Sequence, residues 1–271
     1  MVCFFTMIGG DELARLKKSF SEDGYVVIRG AVPKETLEAL RLRILAEFAR
    51  VKASGELFVA GGSITGHLNC FPGEGARAVY DALVDGGVIS ALREIFPKPA
   101  PVLKVGCNFN LPKSVVQHYH HDGAFMKEFI ECNVAVVDTD IENGAIDVVP
   151  GTHKKFYKYW QFALQAPYRN SKRIPLKQGD ILIRTSNLWH RGMPNMSNEA
   201  RPMLAFTWEN SKDSGVDPFV ENRGEIIFKK NWFRTDFLGQ LRERAYVAAP
   251  FTYSAYRFVS SFFGNRGYSS Y

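Results

Sequence analysis

Gln117-His118-Tyr119-His120-His121-Asp122-Gly123 is the run on which the reading of this chain turns. On a β-strand, side chains two residues apart face the same way, so His120 and Asp122 can grip one metal ion from one side. A second imidazole, His190, carried on a distant strand-like segment, completes a triangle. Two histidines and one carboxylate on a triangular face suit iron(II), because three neighbouring coordination positions stay open. Arg201 follows past a Gly192-Met193-Pro194-Asn195 turn and heads Arg201-Pro202-Met203-Leu204-Ala205-Phe206-Thr207-Trp208, which alternates like a strand. If His190 ends one strand and Arg201 opens its hairpin partner, the guanidinium lies near the metal. Its planar fork then suits bidentate capture of the far carboxylate of a metal-bound 2-oxo diacid. His-x-Asp alone is a weak pattern; with His190 and Arg201 inside strand-like segments it becomes a strong one.

Outward from that run, strands dominate from Val102 onward, at about 102–110, 115–121, 130–138, 145–149, 180–184, 187–191 and 201–209. Short antiparallel strands separated by turn residues predict a barrel or jelly roll. The N-terminal third reads differently. Leu13, Leu16 and Phe20 have helical spacing over Asp11–Phe20, and Tyr25–Ile28 is a short β-like run. Pro33 opens an amphipathic helix whose apolar face runs Leu37, Leu40, Ile44, Leu45 and Phe48. The glycine-rich 55–75 stretch reads as a surface excursion or lid. A third helix covers Ala76–Phe96, interrupted near Gly86-Gly87 and ended by Pro97, Pro99 and Pro101. This predicts a single domain over 1–271: a helical flank over 1–100, a β core over 101–210 with an insert at 154–173, and a C-terminal flank over 211–271.

With 271 residues, nearly half of them apolar, the chain can bury a full core. Cys3, Cys70, Cys107 and Cys132 show neither Cys-x-x-Cys spacing nor a disulfide ladder, which fits a reducing cytoplasm. The apolar opening Met1–Ile8 lacks a basic leader and is too short for an export signal, and no apolar run approaches the roughly 20 residues that cross a bilayer. Of the net charge of +6, most lies from Arg223 onward, where eight Lys/Arg face three Asp/Glu. Such a surface draws an anionic substrate or is a solvated basic face. Neither a helix-turn-helix nor an RNP signature accompanies it, so nucleic acid is not the expected partner. The aromatic run Phe251–Tyr271 packs on the barrel or forms a subunit contact, and oligomeric state stays open.

The 117–123 run, Asn143-Gly144-Ala145-Ile146-Asp147-Val148-Val149-Pro150-Gly151-Thr152-His153-Lys154, the Gly179-Asp180 turn, Trp189-His190-Arg191-Gly192 and Arg201-Pro202 together resemble the phytanoyl-CoA dioxygenase family of iron(II)/2-oxoglutarate-dependent oxygenases. The likeness covers roughly residues 100–210. It implies a mainly β fold with flanking helices around a double-stranded β-helix (jelly roll, cupin-like) core. It implies His120, Asp122 and His190 as iron ligands and Arg201 as the 2-oxoglutarate anchor, with dioxygen as the oxidant. Asn133 stands where members place a side chain near 2-oxoglutarate. Halogenating relatives replace the carboxylate ligand with a small residue, so Asp122 argues against halogenation.

The 154–173 insert, with Tyr157, Tyr159, Trp160, Gln161 and Tyr168, is expected to cover the iron and touch substrate, or else to pack as an amphipathic helix on the barrel. His118 faces the cavity if its strand is regular, while His121 points away and reads as structural. Phe125 and Trp189 are candidate walls of the dry cavity or plain core. Lys104 and Asn108 are weaker candidates for a second polar anchor. The expected activity is oxidation, chiefly hydroxylation, of a C–H bond in a small polar or anionic metabolite, with succinate and carbon dioxide released. Desaturation, epimerisation and cyclisation belong to the same chemistry. The alternative is a non-catalytic jelly roll that binds metal or sugar and keeps a vestigial iron site.

Overall fold

The computed structural model describes residues 8–98, 102–209 and 216–263. Cys3, Pro99, Pro101 and the ends of the chain, 1–7 and 264–271, lie outside that description, and with them parts of the N-terminal and C-terminal expectations. The described helices are α1 (Gly10–Asp23), α2 (Lys34–Ala53), α3 (Arg77–Asp85), α4 (Val88–Ile95), α5 (Tyr159–Gln165), α6 (Phe237–Ala248) and α7 (Pro250–Phe263). The strands are β1 (Tyr25–Ile28), β2 (His67–Phe71), β3 (Val102–Asn110), β4 (Ile130–Ala135), β5 (Asp147–Val148), β6 (Lys172–Arg173), β7 (Ile181–Thr185), β8 (His190–Arg191), β9 (Arg201–Glu209) and β10 (Ile227–Lys229).

Two antiparallel sheets face each other, as a jelly roll requires: a large one ordered β1-β7-β4-β9-β3-β2-β10 and a small one ordered β6-β5-β8. The outer face of the large sheet is apolar and covered by α1 to α4. Val105, Cys107 and Phe109 of β3 pack there with Leu37, Leu40 and Ile44 of α2. Each such aliphatic side chain taken fully from water stabilises the fold by about 1.5–3 kcal/mol. Its inner face is the period-2 opposite and carries Glu131, Asn133, Arg184, Arg201 and Asn108, the polar lining of the cavity between the sheets.

Several sequence expectations change. The 55–75 stretch is not all surface excursion: it contains β2, which pairs with β3 and β10 inside the large sheet. β1 and β2 therefore make the N-terminal flank more than helical. Pro33 caps α2 from outside rather than lying in its first turn. The 130–138, 145–149 and 187–191 strands shorten to β4, β5 and β8. His190 and Arg201 are not hairpin partners either. β8 pairs with β5 in the small sheet, while β9 pairs with β3 and β4 in the large one.

The predicted 115–121 strand is extended but unladdered. Its amides and carbonyls are taken up by different neighbours: Val115 N–H by Thr65 O, Gln117 N–H by Gly192 O, and Asp122 N–H by Ser186 O. Only His120 pairs reciprocally, with His190, at 2.9 and 2.8 Å. These bonds tie the segment to its neighbours without regular structure.

Candidate metal centre

That reciprocal pairing sets His120 and His190 side by side, with ring centroids 4.4 Å apart. Each imidazole directs Nδ1 at a carbonyl two residues earlier, His118 O and Leu188 O, both at 2.9 Å. Nδ1 must donate to a carbonyl, so on both rings Nε2 is the unprotonated nitrogen, the one able to bind a metal. Asp122 closes the triangle: Oδ1 lies 3.8 Å from His120 Nε2 and Oδ2 lies 3.5 Å from His190 Nε2. One ligand atom from each of the three residues falls within 4.8 Å of the others. Burial lowers the pKa of His120 and drives that of His190 well down, so both stay neutral. Burial alone would raise the pKa of Asp122, but the Arg184 guanidinium, through its charge and its hydrogen bond, holds the carboxyl ionised. Two neutral nitrogens and one anionic oxygen are the donor set a ferrous ion fits.

The triad borders a cavity of about 940 Å³ that Arg201 and Asn133 also line. Arg201, at the start of β9, is buried. It donates to Gly144 O at 3.2 Å, and its Nε is buried with no hydrogen-bond partner among the described residues. An unpaired guanidinium nitrogen in an enclosed site calls for an anion. Burial pushes its pKa down to about 10, which still leaves it charged at neutral pH. Gly144 has φ +90°, and a Cβ there would meet Met193 O at 2.7 Å, so only glycine lets this loop approach.

Residues 20–203 match the sequence pattern of the family described as phytanoyl-CoA dioxygenase (PhyH). The chain belongs to that family. Among curated proteins it is similar to dioxygenase lolE1 of Epichloe uncinata, 28% identical over 153 residues. That match spans 53% of this chain and 60% of the relative's length. Among solved structures it is similar to the epimerase SnoN in complex with Fe3+, alpha ketoglutarate and nogalamycin RO, with TM-score 0.54, 20% identity, and 78% and 94% of the two chains covered. It is likewise similar to HygX of Streptomyces hygroscopicus with nickel and 2-oxoglutarate bound, with TM-score 0.54, 16% identity, and 76% and 89% covered. At these identities the likeness is one of fold, and it bears out the jelly roll.

Around this PhyH-family triad the other expected residues divide. His118 lines the metal cavity, its ring 5.3 Å from that of His120, and packs against Trp232, Tyr246 and Tyr253. Asn108 lines the cavity with its Oδ1 buried and unpartnered, whereas Lys104 lines its mouth and pairs with Glu209. Trp189 and Phe125 do not line it. Trp189 precedes His190 in extended backbone and so points to the other side, stacked on Phe162 at 3.9 Å. Phe125 packs on Phe156 and on His121, the imidazole expected to be structural. The 154–173 insert does not cover this cavity either. Trp160 stacks on Phe262 of α7 at 5.0 Å, and Tyr157 lines a separate cavity of about 950 Å³ between the insert, α6 and α7.

Two groups of residues were missed. Arg184 and Glu131 oppose each other on β7 and β4 beside Asp122, and the signal was present: each is a single charge in an otherwise buried β-run. The second group, from the C-terminal flank, fastens the 115–122 segment and the 62–65 turn beside it. Tyr246 Oη donates to Val116 O at 3.0 Å, Arg257 donates to Tyr119 O at 2.6 Å, and Glu243 accepts from Gly62, Ile64 and Thr65.

Proposed function

We propose that this protein is an iron(II)- and 2-oxoglutarate-dependent dioxygenase that oxidises, chiefly by hydroxylation, a C–H bond of a small polar or anionic metabolite, releasing succinate and carbon dioxide. One observation carries the reading: two imidazoles unprotonated at Nε2 and one ionised carboxylate converge in the same cavity as a buried, incompletely paired arginine. His120, Asp122 and His190 would hold the iron, and Arg201 would take the far carboxylate of 2-oxoglutarate. When bound, iron and 2-oxoglutarate supply dioxygen activation by oxidative decarboxylation. The chain's part is to keep both imidazoles in one tautomer, hold Asp122 ionised, and wall the reacting region from bulk water.

Structures of this fold hold ligands as different as nogalamycin RO and hygromycin B, so fold alone does not choose a substrate. The lining does more. Asn69, Asn108, Gln117, Lys229 and Asn231 face the metal cavity, and such a wall suits a ligand rich in hydroxyl or carboxylate groups. No helix among the described residues is long and apolar enough to cross a membrane. The four cysteines, none of them in a Cys-x-x-Cys spacing, support a reducing compartment such as the cytoplasm.

The test supplies the protein with iron(II), ascorbate and 2-oxoglutarate and measures succinate, carbon dioxide and bound metal. Wild type is expected to bind metal and form succinate, slowly without its substrate. Asp122→Ala is expected to lose both. Wild-type protein that neither binds a divalent metal nor forms succinate would return the reading to a non-catalytic jelly roll.

A further inference from the structure

Asp122 does not stand alone in the cavity wall. Its Oδ2 accepts a hydrogen bond from Arg184 Nη1 at 2.7 Å, while Arg184 Nη2 donates to Glu131 Oε1 at 2.8 Å and Nε donates to Asn133 Oδ1 at 3.2 Å. Asn133 in turn donates to Glu131 at 2.6 Å. The arginine side chain is only 5% exposed, and its fork is held on three sides. Asn133, read from the sequence as a cosubstrate contact, is thus committed through both ends of its amide to this cluster.

A carboxylate can hold a metal through one oxygen or through both, and the second mode uses one of the positions that a bidentate 2-oxo acid and dioxygen must share. We propose that Arg184 is a positioning residue that keeps Asp122 a one-oxygen ligand, by occupying Oδ2 and leaving Oδ1 for the metal. Glu131 and Asn133 fix the direction from which Arg184 reaches Asp122. The inference rests on the metal reading above and assigns a role to a residue outside the triad. Arg184 reaches Asp122 from β7, the strand paired with β4, so the ligand's orientation is set by the large sheet rather than by its own irregular segment.

The role predicts an unusual split. Without Arg184, metal binding should survive, because the donor count at the metal does not fall, while 2-oxoglutarate binding should weaken, because an open position is lost. The test uses the Glu131→Gln/Arg184→Met double variant, which takes away Glu131's charge along with Arg184's so that of the cluster only Asp122 keeps a buried charge, and it is read at pH 8 so that Asp122 stays ionised without its arginine. Cobalt(II) affinity is measured by calorimetry, and 2-oxoglutarate is titrated into the cobalt-loaded protein by its visible absorption. Cobalt affinity is expected to stay within roughly threefold of wild type, while the 2-oxoglutarate concentration for half-saturation rises roughly tenfold or more. Arg184→Lys, which restores a single donor, should recover part of that loss. A double variant that folds and binds both cobalt and 2-oxoglutarate as wild type does would overturn the positioning role alone, and loss of cobalt binding in step with a fallen melting temperature would make Arg184 merely structural. Failure of wild type to bind cobalt would overturn the metal reading and this inference together.

Discussion

His120 and His190 direct Nδ1 at backbone carbonyls and so carry no proton on Nε2, whereas His67 does the reverse: its Nε2 lies 2.6 Å from Val115 O, and its Nδ1 is buried without a partner among the described residues. The first arrangement suits metal binding; the second makes a strut for the 115–122 segment. Burial pushes the His67 pKa from 6.5 down to about 4. Above pH 6.5 this has no effect on stability. Between 6.5 and about 4 the unfolded chain takes up a proton that the folded chain refuses, so stability falls with falling pH, by roughly 3 kcal/mol for this residue. Urea midpoints at pH 7.5 and 4.5, without added metal, should drop further for wild type than for His67→Gln; equal drops would remove His67 as the source. For Arg201, replacement by alanine should raise the 2-oxoglutarate requirement by roughly two orders of magnitude, the loss of a buried charged pair, with metal content unchanged. An unaltered requirement would end the anchor assignment. At this scale the triad and Arg201 were legible because their chemistry is scarce and their spacing constrained. Arg184 left a fainter trace, a lone charge in Ile181-Leu182-Ile183-Arg184-Thr185 that is easily passed over as the solvent side of an ordinary strand.

Among elements, α6 is the one whose importance the sequence concealed. Glu243 is fully buried and accepts from Thr65 N–H at 2.8 Å, Ile64 N–H at 3.0 Å, Gly62 N–H at 3.2 Å and Thr65 Oγ1 at 2.9 Å. Gly62, at φ +103°, permits this turn, where a Cβ would collide with His67 O. Glu243→Ala would leave several buried donors unsatisfied and should cost roughly 3 kcal/mol or more, read as a lowered urea midpoint. Glu243→Gln keeps an acceptor and should cost less; equal losses would mean the carboxylate is not what holds the turn. Helix α2, strand β3 and strand β9 could be read in advance because periodicity alone specifies them. Segment 115–122 could not, because its partners come from four distant stretches and no local pattern encodes them. The C-terminal helices were obscured by their charge, which drew attention to the basic surface rather than to the three residues that face inward.

Across the whole molecule, the large sheet recruits β1 and β2 from the first hundred residues and β10 from the last fifty. We therefore propose that the three sequence regions melt as one cooperative unit. Manganese(II) at a hundredfold excess over its dissociation constant should add about 2.7 kcal/mol, a rise of roughly 5–10 °C in melting temperature, to wild type but not to Asp122→Ala. Two separate transitions, or a shift retained in Asp122→Ala, would contradict this. The β class was legible from alternation and turn residues, and the jelly roll from the family resemblance. The division into a seven-stranded and a three-stranded sheet was not, because which strand pairs with which is decided by tertiary burial rather than by any single strand's composition. Order of synthesis adds a consequence. Val116 and Tyr119 are fastened by Tyr246 and Arg257, residues translated more than a hundred codons after them. On the ribosome, the segment that carries His120 and Asp122 waits for these supports, and the candidate site is gripped only after residue 257 has emerged.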